Sequence, residues 1–476
     1  MSQRVAENPG QPVEGATIGP GTHPDGVELG RLLAAGQLKV CSLTTSAIEQ
    51  ASTDNSFITV TESRALREAE AAHERLTSDV RLSPLDGVPV AVKDLFDVEG
   101  TVTTAGSPVL ADLPAKQQDA GVVQLLSQAG TVLIGKTNLS ECAFSGLGIN
   151  PYYGTPLKPD ARGRHLIPGG SSSGSAVAVA SGIVPIALGT DTSGSVRVPA
   201  AFCGIVGYKA SAQRYSKDGM TPLSHTLDSV GILARSMRDI LTMDRLLGGS
   251  APAPASRVDG PSTVTGARLV VPHGEMLDDC DPEVRARFEA ALELLTGHGV
   301  RIERRGTAAL EDAQRIMDEN TTLVGAEAYY AYKYLLDPPH RDRIDPGLVR
   351  RLTHAAQHHH QVEPVYRAMD PLRRQLRQEL GDGLLICPTV RHTAPELQPL
   401  LDDDELYDRT NQRSLRTTML SSYLGMPGVS LPIGRSDEDG VGLLVSAPAG
   451  EDARLLSIAD GLHPLLQETA ALPAQK

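Results

Sequence analysis

The sequence predicts an α/β fold, a β-sheet covered by helices on both faces. Three observations point there. Stretches with apolar residues at three- and four-residue intervals, the period of an amphipathic helix, alternate with short apolar runs bounded by glycine, the pattern of buried strands. The composition, 40% apolar and 21% charged, is that of a globular chain. No internal repeat is present in the 476 residues.

From Val27 to Leu76 the spacing is mostly helical, as in ELGRLLAAG and ESRALREAEAAHERL. GVPVAVKDLFDVEG, residues 87 to 100, interrupts that rhythm, and its VPVAVK core reads as a short buried strand that ends in charged residues. AGVVQLLSQAG is helix-like, TVLIGKTN is a strand, and the stretch through NPYYGTPLKPDARGRHLIPGG is rich in turns. A Pro- and Ser-rich segment, residues 248 to 266, separates this half from a second strand-helix-strand pattern in ARLVV, PEVRARFEAALELLTGHG and VRIERR. Polar helices follow over residues 311 to 380, LLICPT (384 to 389) is a buried strand, and GMPGVSLPIG, GVGLLVSAP and EDARLLSIADGLHPLL supply closing strands and a helix.

The net charge of −14, from 44 basic and 58 acidic residues, opposes the phosphate attraction on which nucleic-acid binding rests, so DNA, RNA and anionic membrane are set aside as partners. Five cysteines at positions 41, 142, 203, 280 and 387 show no C-x-x-C spacing, which indicates neither a disulfide framework nor a zinc site. The opening residues lack the apolar core of a signal peptide, and no apolar run approaches the ~18 residues of a membrane span. A soluble, cytoplasmic protein is expected, with residues 1–26, rich in Gly, Pro and acidic side chains, as a poorly ordered tail.

The chemistry concentrates in GGSSSGSAVAVASGIVPIALGTDTSGSVRVP, residues 169 to 199, where two Gly-Ser clusters enclose an apolar run. A linker would join domain ends, whereas here a small-residue helix and a strand lie between the clusters. A phosphate-binding loop would need a G-K-[ST] ending that is missing. Gly170-Ser171-Ser172-Ser173-Gly174 matches the G-x-S-x-G nucleophile elbow, but HLIP before it is a poor strand and no convincing Asp-then-His pair follows.

GGSSSGSA followed by GTDTSGSVRVPAAFCGIVGYK resembles the signature of the amidase signature hydrolases. GVPVAVKDLFDVEG is similar to the segment carrying that family's catalytic lysine, and GKTNLSECAF between them also fits. The resemblance is dense from Gly87 to Arg235 and looser as far as GVSLPIG and PAGEDARLL. It implies a mixed, twisted sheet covered by helices. Length alone would favour about three domains; the resemblance implies one amidase domain over residues 27–470. Its parts would be a helical lead-in (27–80), a signature core (87–235), a variable substrate-pocket region (250–390) and closing strands and helix (415–467).

The resemblance further implies a Ser-cis-Ser-Lys triad of Ser195 as nucleophile, Ser171 as bridge and Lys93 as base, with a cis Gly170–Ser171 peptide and no metal or organic cofactor. A serine hydroxyl must lose its proton as it attacks an amide carbonyl. Lysine can take that proton only when neutral, a state that burial among the valines and alanine of VPVAV favours. Ser171 can relay the proton because a hydroxyl both donates and accepts. Thr192, Ser193, Gly194 and Ser195 form a tight turn whose backbone amides are expected to hold the oxyanion. Relatives often carry Gly-Gly before the nucleophile, where this chain has Ser193-Gly194. Asp191 and Arg197 flank the turn and are expected to form an ion pair that holds it rigid, the alternative being a plain surface pair, and Ser172 and Ser173 either to bond Lys93 or to cap the next helix, the commoner use of serine there.

Elsewhere, His354 and His358 have the spacing of a helical metal pair but lack the Glu of H-E-x-x-H, so an exposed polar helix is expected. Cys142 and Cys203 are read as buried small hydrophobes. Tyr329, Tyr330, Tyr332 and Tyr334 line an acyl pocket or, more ordinarily, pack the helix. The expected activity is hydrolysis of a small-molecule carboxamide through an acyl-enzyme, with a homodimer left open. Two readings within the family are an amidotransferase A-type subunit and an allophanate hydrolase, and a different class is a noncatalytic small-molecule binder on the same scaffold.

Overall fold

The computed structural model describes residues 23–248, 264–434 and 439–469. Most of the tail expected at 1–26 and most of the Pro- and Ser-rich segment at 248–266 lie outside the described residues. Within them, eleven strands form one sheet. These are β1 (Phe57–Val60), β2 (Pro89–Lys93), β3 (Val132–Thr137), β4 (Ile186–Asp191), β5 (Val206–Lys209), β6 (Ser229–Ala234), β7 (Arg268–Pro272), β8 (Arg301–Arg305), β9 (Leu384–Pro388), β10 (Gly428–Ile433) and β11 (Val441–Ser446). Their order is β1-β3-β2-β4-β6-β5-β10-β11-β9-β7-β8. β2 runs parallel to β3 and β4, and β7 runs parallel to β8 and β9. The remaining pairings are antiparallel, so the sheet is mixed.

The near-continuous apolar character of the inner strands follows from cover on both faces, whereas the edge strand β8 is largely polar. Leu269 and Val271 of β7 enter one apolar cluster and Val270 another; Leu384 and Ile386 of β9 part from Leu385 and Cys387 in the same way, as do Leu443 and Val445 of β11 from Leu444. Successive side chains leave a strand on opposite sides, so two clusters mean two covered faces. One cluster takes in the helices Val40–Ala51, Glu62–Thr77, Ser173–Ala180, Pro282–Gly297 and Asp452–Thr469. The other takes in Ala308–Glu319, Leu323–Tyr332, Pro346–His358, Glu363–Leu380 and the end of Asp404–Tyr423. The helix Glu363–Leu380 shows how sequence dictates this: Val365, Met369, Leu372, Leu376 and Leu380 recur every three or four residues, and all five are buried.

Two features of this frame set up the site. β2 and β4 are parallel neighbours, so their carboxyl ends, Lys93 and Asp191, emerge on the same edge of the sheet, where open α/β sheets bind their ligands. The helix Ser173–Ala180 lies close against the chain at Ser56 and Asn138, an approach that requires Gly174, since a Cβ there would stand 2.1 Å from the Ser56 carbonyl oxygen. Among the described residues no helix is long and apolar enough to cross a membrane.

Candidate active site

Lys93 closes β2 and is 0% exposed. Its Nζ bonds Ser171 Oγ at 2.7 Å and Thr190 Oγ1 at 2.9 Å. An ammonium group in such surroundings loses its hydration, and burial drives its pKa down to about 7, against the opposing pull of the Asp191 and Asp228 carboxylates. The amine is therefore poised to accept a proton near neutrality.

Ser171 follows a cis peptide bond from Gly170. The strand of chain around it is held by Gly170 N–H donating to Gly146 O at 2.7 Å and Ser140 N–H donating to Ser171 O at 3.2 Å. Ser172 N–H donates to Ser195 O at 3.1 Å, which ties the two Gly-Ser clusters together. The alternatives for the next two serines are both corrected. Ser172 Oγ donates to the Thr190 carbonyl at 3.3 Å, and Ser173 Oγ is buried without a partner among the described residues. Neither bonds Lys93, and the helix Ser173–Ala180 starts without a side-chain cap, because Ser172 turns toward β4 instead.

The turn after β4 is built around one buried carboxylate. Asp191 receives a bidentate bond from Arg197 (Nε at 2.9 Å, Nη2 at 2.8 Å), and both side chains are 0% exposed, so this is no surface pair. Burial pushes the Asp191 pKa up, but the Arg197 charge and its hydrogen bonds outweigh that and hold it below the usual carboxylate range. Arg197 also donates to Ser421 Oγ at 2.6 Å, Ser422 Oγ at 2.7 Å and the Thr418 carbonyl at 3.2 Å, anchoring the turn to the helix Asp404–Tyr423. Asp191 Oδ1 accepts the Gly194 amide at 2.7 Å, and Oδ2 accepts that of Val196 at 3.1 Å. This corrects the expected oxyanion set: Gly194 N–H is committed to a carboxylate, whereas the amides of Thr192, Ser193 and Ser195 have no acceptor among the described residues.

Gly194 has φ +138°, and a Cβ there would lie 2.1 Å from Thr418 Oγ1, which itself bonds the Ser193 carbonyl at 2.6 Å. Gly194→Ala is expected to cost roughly 2 to 4 kcal/mol through overpacking and backbone strain, read as a fall in Tm, with loss of whatever activity the turn supports.

Ser193 and Ser195 open onto a cavity of about 590 Å³. Ser195 is 4% exposed, and its Oγ has no hydrogen bond among the described residues, so contact with Ser171 Oγ is not made here. The cavity wall comes from Ala143–Ser145, from helices within residues 311–380 and from residues 408–419, the last outside the 250–390 region expected to carry the pocket. His354 and His358 lie on that wall with ring centroids 4.3 Å apart, and among the described residues no group of three metal-binding side chains is present. The tyrosines pack elsewhere. Tyr332 is buried with its hydroxyl on the Pro222 carbonyl at 2.7 Å, while Tyr330 and Tyr334 are exposed, since residues one and two apart on a helix point to different sides. Cys142 and Cys203 are buried.

Three residues about the site went unpredicted. Thr190 is the second partner of Lys93, Asp228 accepts from Thr192 Oγ1 at 2.5 Å, and Thr418 fastens Ser193. Thr190 alone had a signal, lying within the second Gly-Ser motif one residue before Asp191.

The family model described as Amidase matches residues 40–456. The chain is 35% identical to 2-amino-5-chloromuconic acid deaminase of Comamonas testosteroni, over 88% of this chain and 90% of that protein. It is likewise 35% identical to mandelamide hydrolase of Pseudomonas putida, over 87% of this chain and 85% of that one. Among solved structures, a crystal structure of an amidase superposes with a TM-score of 0.80 at 31% identity, covering 92% of this chain and 99% of the other.

Proposed function

This chain belongs to the amidase family, and from that premise we propose that it hydrolyses a small-molecule carboxamide through Ser195, Ser171 and Lys93. The observation that carries the reading is the bond of 2.7 Å between a fully buried lysine amine and Ser171 Oγ, at the mouth of a turn that presents Ser195 to a cavity.

In this mechanism Ser195 Oγ attacks the substrate carbonyl while its proton passes to Ser171 Oγ, whose own proton moves to the neutral Lys93 amine. The Ser195–Ser171 contact closes with substrate in place, as catalytic hydrogen bonds commonly do. The carbonyl oxygen, now an anion, is held by the amides of Thr192, Ser193 and Ser195, each worth a few kcal/mol when preorganised in a dry site. The Lys93 ammonium returns its proton through Ser171 to the departing nitrogen, so ammonia or an amine leaves and Ser195 carries the acyl group. Water then attacks that ester with the same relay, releasing the acid and restoring Ser195. Reaction class is what the reading takes from mandelamide hydrolase; no residue of the scheme is a histidine.

The sign of the pH dependence follows from the base. Lys93 must be unprotonated in the free enzyme, and its pKa stands at about 7. The ammonia-release kcat/KM is expected to climb about tenfold per pH unit below that value and to level off above it. A profile already flat from pH 5, or one that falls between pH 6 and 8, would contradict a lysine base.

A further inference from the structure

The cavity that reaches Ser195 carries three arginines on its wall, Arg350, Arg351 and Arg416. Two of them have carboxylate partners: Arg350 pairs with Asp404 at 2.7 Å and with Asp408 at 3.2 Å, and Arg416 pairs with Asp318 at 3.2 Å. Arg351 does not. Its side chain is 12% exposed, yet Nε, Nη1 and Nη2 are all buried without a hydrogen-bond acceptor among the described residues. Asp345 Oδ2 stands at 3.8 Å, beyond hydrogen-bond reach, while Asp345 Oδ1 accepts the Gly347 amide at 2.9 Å and so caps the helix Pro346–His358. The rings of Phe144 and Tyr407 lie 5.8 Å and 5.5 Å from the guanidinium, which steadies the cation but leaves its N–H groups unmatched.

A guanidinium cannot shed its charge on burial, and five unmet donors in one plane are costly unless a ligand meets them. The planar fork fits a carboxylate, through two parallel N–H···O bonds. A neighbouring donor points the same way. Asn411 Oδ1 accepts from Ser145 Oγ at 3.1 Å and from Gly146 N–H at 2.7 Å, which leaves its Nδ2 as a donor on the cavity wall. Asp408 Oδ1 is also without a donor, but its carboxylate is bonded by Arg350, whereas the Arg351 N–H groups have no acceptor among the described residues beside the long ion pair to Asp345.

We propose that Arg351 receives a carboxylate of the substrate, so that the amide cleaved here is an acid amide, with its carboxamide at Ser195, its carboxylate at Arg351 and a short apolar chain between them. The inference rests on the amidase reading and deepens it. Phe144, Leu223 and Val324 supply the apolar wall for that chain.

The test uses the full chain and two series of equal length: succinamic, glutaramic and adipamic acids against butanamide, pentanamide and hexanamide, followed by ammonia release. In the wild type the best acid amide is expected to exceed its neutral partner at least tenfold in kcat/KM. Arg351→Gln should reduce that ratio at least tenfold and Arg351→Lys, which keeps the charge but loses the fork, by less, with circular dichroism melting as the check on folding. A ratio near one in the wild type, or one untouched by Arg351→Gln, overturns the assignment of Arg351. If neither series releases ammonia and a serine-directed phosphonate leaves Ser195 unlabelled, the amidase reading fails separately. Calorimetric titration of glutarate and adipate then decides for Arg351: binding lost in Arg351→Gln supports the carboxylate site, and equal or absent binding in both proteins overturns it.

Discussion

Ser195→Ala is expected to lower kcat/KM for amide hydrolysis by roughly 10⁴ to 10⁶ while leaving the melting temperature almost unchanged, because in the proposed mechanism it removes the nucleophile, and a nucleophile removed from a relay takes nearly all of the relay's effect with it. The side chain is small, makes no hydrogen bond among the described residues and opens onto the cavity, so its loss disturbs little packing. Ammonia release measures the first quantity. A serine-directed phosphonate supplies an independent reading: it should label the wild type at Ser195 and fail to label the variant. Wild-type protein that neither takes the label nor turns over any amide would favour a noncatalytic binder on this scaffold.

Lys93→Met should combine two opposite effects. Activity falls by on the order of 10³ or more, since the proposed base is gone, and combining it with Ser195→Ala loses little further, as expected for residues acting as a unit. Stability moves the other way. The unfolded lysine titrates at 10.5 and the folded one at about 7, so between those values the unfolded chain holds one more proton than the native state. The penalty of burying this amine is therefore complete below about pH 7 and fades as pH climbs toward 10.5. A gap of that size is worth roughly 4 to 5 kcal/mol, at about 1.4 kcal/mol per unit. Losing the bonds to Ser171 and Thr190 offsets about half of it. Lys93→Met should thus be about 2 kcal/mol more stable than the wild type at pH 7, with the advantage shrinking at pH 9. Denaturant unfolding at several pH values checks this; a variant less stable at pH 7 would mean the amine is held as a charged partner of Asp191 and Asp228.

Local patterns disclosed some parts of this molecule and could not disclose others. VPVAVK announced a buried strand ending in lysine because continuous apolar residues have no other soluble use at that length, and the family resemblance picked out Ser171 and Ser195 through short motifs. Strand order was not legible: β6 sits between β4 and β5, and β5 meets β10 more than 200 residues away, and no periodicity encodes such pairings. The oxyanion set was misjudged at Gly194 for a related reason. Which amide in a four-residue turn faces the substrate depends on where the Asp191 carboxylate lies beneath it, and a glycine in the sequence looks the same in either role. Arg351 was invisible because an arginine on a polar helix is ordinarily solvated; only the cavity shows that its donors have nowhere to go.

The tether from Arg197 to Thr418, Ser421 and Ser422 carries a consequence for the order in which the protein comes to life during synthesis. Lys93, Ser171 and Ser195 all leave the ribosome long before the segment that clamps their neighbourhood. In the proposed mechanism, nascent chains halted before residue 418 should therefore hold all three groups and still be inert until the helix Asp404–Tyr423 has been made.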